Sequence, residues 1–125
     1  MEINEISGQV VDAAMKVHSA LGPGLLESAY EACLVFELHR RGLTADRQVE
    51  LPVVYDSVKI DVGYRLDVLV EDTVIVELKA VDKILPIHKA QLISYLKLSG
   101  KKLGLLINFN SVHLKDGIKR LANDL

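Results

Sequence analysis

Two apolar stretches lying close together constrain this chain most. They are Tyr64-Arg65-Leu66-Asp67-Val68-Leu69-Val70 and Thr73-Val74-Ile75-Val76-Glu77-Leu78-Lys79. Their Val, Ile and Leu content marks them as strands of a sheet interior. Arg65, Asp67, Glu77 and Lys79 intrude into both. An ion taken into a protein interior costs on the order of several kcal/mol unless it is paired, hydrogen-bonded or bound to a metal. Two carboxylates and an ammonium retained inside a sheet therefore point to a use for them.

The rest of the composition sets limits on that use. A chain of 125 residues, half of them hydrophobic and 26% charged, is expected to form one globular domain. No apolar run approaches the roughly 20 residues of a membrane span. Met1-Glu2-Ile3-Asn4-Glu5 carries acids where a signal peptide carries Lys or Arg. The single cysteine, Cys33, has no internal disulfide partner and falls among apolar helical positions, as a small core residue in a reducing cytoplasm does.

The net charge of −2 argues against a protein that coats nucleic acid non-specifically. Its distribution is uneven. Residues 1–56 hold nine acids and four bases, whereas residues 79–120 hold nine bases against Asp82 and Asp116. Either a positive surface lies beside Asp67 and Glu77, as a polyanionic substrate requires, or these are ordinary solvated lysines.

Taken in order, residues 4–20 predict a helix, with Ile6, Val10, Ala14, Val17 and Leu21 forming its apolar stripe and His18 near its end. Gly22-Pro23-Gly24 breaks the chain. A second helix is expected from Leu25 to Arg41, its inner side formed by Leu26, Ala29, Tyr30, Cys33, Leu34 and Leu38 and its end marked by Gly42. Glu27 in its first turn suits the helix dipole, and Tyr30 suits a core aromatic.

From Arg47 the period becomes two. Strands are expected at Gln48–Tyr55, with Pro52 favouring an edge or bulge, at Val58–Val70, bent near Gly63, and at Thr73–Val81. Together they predict a three-strand antiparallel meander. A two-residue turn at Glu71-Asp72 sends Asp67 and Glu77 to opposite faces. A three-residue loop, Glu71-Asp72-Thr73, sets Asp67 opposite Glu77, and that register is the expected one.

Pro86 opens a helix that stops at Gly100, with His88, Gln91 and Tyr95 in a polar line and Leu92, Ile93 and Leu96 on its other side. Leu103–Phe109 predicts a buried strand, joined by a right-handed crossover parallel to the third strand. The tail from Leu114 is compatible with a short helix or an edge strand.

Asp67, followed by Glu77-Leu78-Lys79, resembles the D…(E)xK signature of the PD-(D/E)XK nuclease superfamily. Gly24-Leu25-Leu26-Glu27-Ser28-Ala29-Tyr30 resembles the signature of its GxxExxY branch. Gly63–Asp67, Val76–Ala80, His88–Leu92 with Tyr95, and Gly104–Phe109 resemble the same family, so the likeness runs from about Glu5 to Arg120. Leu66 stands where the superfamily's name has a proline, a side chain without a catalytic group.

The resemblance implies an α/β restriction-endonuclease-like core, a central mixed four-stranded sheet flanked by helices. It implies that Asp67, Glu77, the Leu78 carbonyl and Glu27 hold Mg²⁺ or Mn²⁺, hard ions that prefer oxygen donors. Lys79 orients the attacking water or stabilises the transition state. Gln91, with Tyr30, Tyr95 and His88 as auxiliary residues, assists from the neighbouring helices. The implied activity is metal-dependent hydrolysis of phosphodiester bonds, in DNA ahead of RNA, by a homodimer whose two sites address two strands. Two further readings use the same residues: a non-catalytic nucleic-acid- or protein-binding module, in which Lys79 neutralises Asp67 and Glu77, and a small subunit active only with a partner.

Overall fold

The computed structural model describes residues 1–124. Two helices come first, α1 over Ile3–Leu21 and α2 over Glu27–Arg40. Of the apolar stripe expected on α1, Ile6, Val10, Ala14 and Val17 are buried, whereas Leu21, the last residue of the helix, is exposed. On α2 the inner side is shifted: Leu26 lies exposed before the helix, while Glu31 and Glu37 are buried. Both acids carry partners. Glu31 accepts from Arg47 and Gln48, and Glu37 from Arg40, with Lys16 at 2.9 Å.

The strands are β1 (Ala45–Glu50), β2 (Val53–Tyr55), β3 (Val58–Ile60), β4 (Arg65–Val70) and β5 (Val74–Lys79). Helix α3 (Pro86–Ser99), β6 (Leu103–Asn108), a 3-10 turn (Leu114–Gly117) and β7 (Ile118–Ala122) follow. One sheet has the order β1-β4-β5-β6-β7, with β5 and β6 parallel and every other pair antiparallel. The mixed α/β architecture and the β5–α3–β6 crossover follow the expectation, but the main sheet has five strands instead of four. The extra strand is the tail, which uses both conformations that its sequence allows: a 3-10 turn, then an edge strand on β6.

The expected strand Val58–Val70 is also divided. Its first part pairs with β2 in a separate two-stranded sheet, and its second part belongs to the main sheet. Leu51-Pro52 separates β1 from β2 in the same way, because proline offers no N–H to a ladder. The antiparallel order β1-β4-β5 thus survives with a hairpin inserted into it.

The main sheet is covered on both faces. Val68, Val70, Val74, Val76 and Leu78 pack under α1 and α2, with Tyr30 and Phe109 in the same cluster. Leu69, Ile75 and Leu106 pack under Leu92, Tyr95 and Leu96 of α3. Gly104 on β6 makes room for that helix: a Cβ there would lie 2.9 Å from Leu92 Cδ1. No helix among the described residues is long and apolar enough to cross a membrane.

Candidate functional site

The register of β4 on β5 determines where the carboxylates meet. Val70 pairs with Val74, Leu69 with Ile75 and Val68 with Val76, the arrangement that a three-residue Glu71-Asp72-Thr73 loop requires. One further step sets Asp67 opposite Glu77. There the backbone ladder stops and side chains take over. Asp67 N–H donates to Glu77 Oε2 at 3.2 Å, and Leu78 N–H donates to Asp67 Oδ2 at 2.9 Å. Each carboxylate holds the other's strand.

The ladder is interrupted on the other side of Asp67 as well. Arg47 pairs with Val68 and Val49 with Leu66, which leaves Gln48 facing Asp67 without a ladder pair. Gln48 has φ 51°, a left-handed conformation rare for a residue with a side chain. Its amide donates to Glu31 Oε1 at 2.8 Å, and Arg47 binds Glu31 Oε2. Glu31 thereby anchors the strand segment beside Asp67. Sequence reasoning did not single out Glu31 or Gln48; the available signal was an acid at an inward helical position.

Asp67 is half-buried and Glu77 is 6% exposed. Burial, then the hydrogen bond and charge of Asp67, push the Glu77 carboxyl up to about 10. Lys79 acts in the opposite direction but weakly. Among the described residues no ion pair joins Lys79 to either carboxylate. It is half-buried at the end of β5, two residues beyond Glu77 and on the same face.

Helix α3 covers this face. Tyr95 is buried, and burial followed by the charges of Glu77, Tyr64 and Asp67 raises its hydroxyl above its usual range. Tyr64 lies against it with ring centroids 5.9 Å apart. Tyr64 is a third residue that sequence reasoning did not single out. Gln91 is exposed one turn earlier on α3. His88 Nδ1 accepts the Leu85 N–H at 3.0 Å, which ties the ring to the start of the helix.

Glu27 and Tyr30 lie apart from the pair. Glu27 is exposed in the first turn of α2, and no cluster of three or more acid, histidine or cysteine side chains suited to an ion occurs among the described residues. Tyr30 is fully buried and stacks on Phe109 at 4.6 Å. Its hydroxyl donates to the Gly22 carbonyl and accepts the Leu25 N–H, fastening both ends of the Gly22–Leu25 turn that leads into Glu27. Tyr30→Phe is expected to cost about 1–2 kcal/mol in urea unfolding, the loss of one doubly used buried hydroxyl. Unchanged stability with reduced activity would instead place that hydroxyl in the chemistry.

Two bases of the C-terminal half are engaged elsewhere. Lys101 pairs with Asp72 at the β4–β5 loop, and Arg120 bonds Asn4 on α1. Lys83 and Lys119 line a cleft of about 250 Å³ with Asp82, Asp116 and Asn108, the residue that pairs with Lys79 on β6. Two bases therefore stand near the Lys79 end of the site, each accompanied by an acid.

The donor set suits a hard divalent ion: two adjacent acidic side chains on one sheet face, one of them destabilised as an anion by burial and by its neighbour, with a lysine beyond them that pairs with neither among the described residues. No curated protein and no solved structure matches the chain. A family model does match, over residues 4–121, and its description is the PD-(D/E)XK nuclease superfamily. With its order of helices and strands and its Asp67/Glu77/Lys79 set, the chain belongs to the PD-(D/E)XK nuclease superfamily.

Proposed function

We propose that the protein is a metal-dependent nuclease that hydrolyses phosphodiester bonds, in DNA ahead of RNA. The observation that carries this reading is the Asp67–Glu77 pair, in which the β4–β5 register forces two acidic side chains together. Asp67, Glu77 and the Leu78 carbonyl would hold Mg²⁺ or Mn²⁺, and Glu27 would reach the ion through water. When bound, the ion polarises a phosphodiester oxygen and lowers the pKa of a water.

The chain's own residues supply the rest. Each carboxylate is oriented by the neighbouring strand's N–H, so little ordering remains at the moment of reaction. Lys79 places positive charge where the phosphate becomes more negative. Tyr95 closes one side of the pair, and Gln91 and His88 extend the polar line along α3 toward the substrate. The Gly24/Glu27/Tyr30 spacing supports the GxxExxY branch, and the lone Cys33 suits a reducing cytoplasm. A homodimer would present two sites to two strands.

The binding-module reading requires Lys79 to neutralise the two carboxylates, and no such ion pair exists among the described residues. Calorimetry with Mg²⁺ and Mn²⁺ tests the choice. The wild type should bind, and Asp67→Ala and Glu77→Ala should not. Absence of binding to the wild type at millimolar metal, repeated with a short duplex present, would move the assignment to the binding module.

A further inference from the structure

The β2–β3 hairpin is an arm without a core of its own. Asp56 and Ser57 form its two-residue turn with φ 52° and 66°, the mirror-image geometry that fits a tight hairpin. Val53 faces Ile60 and Tyr55 faces Val58, so these four side chains share one face; β3 ends at Ile60, and Val62 lies two residues beyond it. Tyr55 is 72%, Val58 57%, Val62 52% and Ile60 41% exposed. A lone two-stranded hairpin is at best marginally stable in water; three or more strands give a sheet that holds.

The free edge of β3 has an unusual property. Residues 58–62 read Val-Lys-Ile-Asp-Val. Laid antiparallel on a copy of itself about Ile60, with Asp61 and Val62 drawn into the strand that ends at Ile60, the segment sets Ile60 opposite Ile60, Val58 opposite Val62, and Lys59 opposite Asp61, twice. The hairpin phase agrees. Tyr55 and Val58 flank the turn as a hydrogen-bonded pair, so the N–H and C=O of Lys59 point to the free edge, where the pairing needs them. The β2 edge lacks this complementarity and carries Pro52 beside it.

We propose that β3 pairs with β3 of a second copy of this chain across a two-fold axis at Ile60, joining two hairpins into a four-stranded sheet. A single lysine on an edge strand repels indiscriminate pairing. The Lys59/Asp61 combination does so too, except against an antiparallel copy in this register. From Leu51 to Tyr64 the arm carries two acids and one base, which makes it a poor surface for a polyanion. The proposal goes beyond the nuclease reading and does not depend on it, since no residue from Val53 to Val62 belongs to the site.

Sedimentation of the full chain tests it by charge reversal. The wild type should dimerise. Lys59→Asp and Asp61→Lys should each weaken the dimer at least about tenfold, because two attractive cross-strand pairs become repulsive. Mixing the two variants should restore a dimer, since each then supplies the charges that the other lacks. Because Asp61 also accepts the Gly63 N–H, a cross-link provides an independent arm. Ile60→Cys, in a Cys33→Ser background, should form a disulfide-linked dimer on mild oxidation, whereas Val54→Cys should not. A monomeric wild type, single variants that dimerise normally, a mixture that stays monomeric, or no Ile60→Cys cross-link would each overturn the proposal.

Discussion

Glu77→Gln is expected to yield a protein that is more stable without metal and inactive with it. Glutamine keeps an oxygen for the Asp67 N–H while removing a carboxyl that the fold disfavours as an anion. The sign follows from linkage. The unfolded carboxyl releases its proton near 4.5, whereas the folded one keeps it up to about 10. Across that window the folded state binds more protons, so this group's contribution to stability is complete below the lower pH and declines as pH rises.

The decline is at most about 1.4 kcal/mol per pH unit. Glu77→Gln should flatten it and raise metal-free stability at pH 8 by about 1–3 kcal/mol, because glutamine folds without the proton that the buried carboxyl must take up. Thermal unfolding in chelator across pH checks both statements. The same variant should bind no Mg²⁺ or Mn²⁺ and show no metal-dependent cleavage. A variant less stable than wild type at every pH would mean that Glu77 is there for structure.

Lys79→Met separates binding from chemistry. The methionine stem fills nearly the same half-buried volume at the end of β5 but carries no charge. Because Lys79 forms no ion pair with Asp67 or Glu77 among the described residues, metal affinity should change little. Cleavage should fall by about 10²–10³, the usual loss on removing a group that meets charge developing in the transition state. The drop should appear in kcat with KM nearly unchanged. If metal binding is lost together with activity, Lys79 organises the carboxylates and does not act on the phosphate.

Register links these expectations to the stability of the site. The pair exists because β4 and β5 place Asp67 opposite Glu77, and each side chain replaces one ladder bond. A two-residue loop in place of Glu71-Asp72-Thr73 would leave both strands in the sheet and send the carboxylates to opposite faces. Holding the two carboxyls together, with a proton kept on Glu77, is a cost that the surrounding core absorbs. The Glu31 anchor on Arg47 and Gln48 fits the same pattern on the other flank of Asp67.

Local patterns determined much of this protein. Helical spacing was enough to place α1, Pro86 and Gly100 bounded α3, and the strand–helix–strand order implied a parallel β6. The requirement that Asp67 and Glu77 share a face was enough to select the loop length. These features rest on periods and turn residues that act over a few positions.

Tertiary structure decided the rest. Whether Val58–Val70 is one strand or two depends on which edge each half meets, which no local period records; the first half joined β2 and the second joined β1 and β5. The tail became a fifth strand because β6 offered it an edge. Tyr30 and Glu27 share a motif but not a location, because a buried hydroxyl satisfied by the Gly22–Leu25 turn leaves the exposed carboxylate one turn earlier on its own. Two of the C-terminal bases were drawn off for a similar reason: lysines and arginines find partners through space, and Lys101 and Arg120 found theirs away from the site.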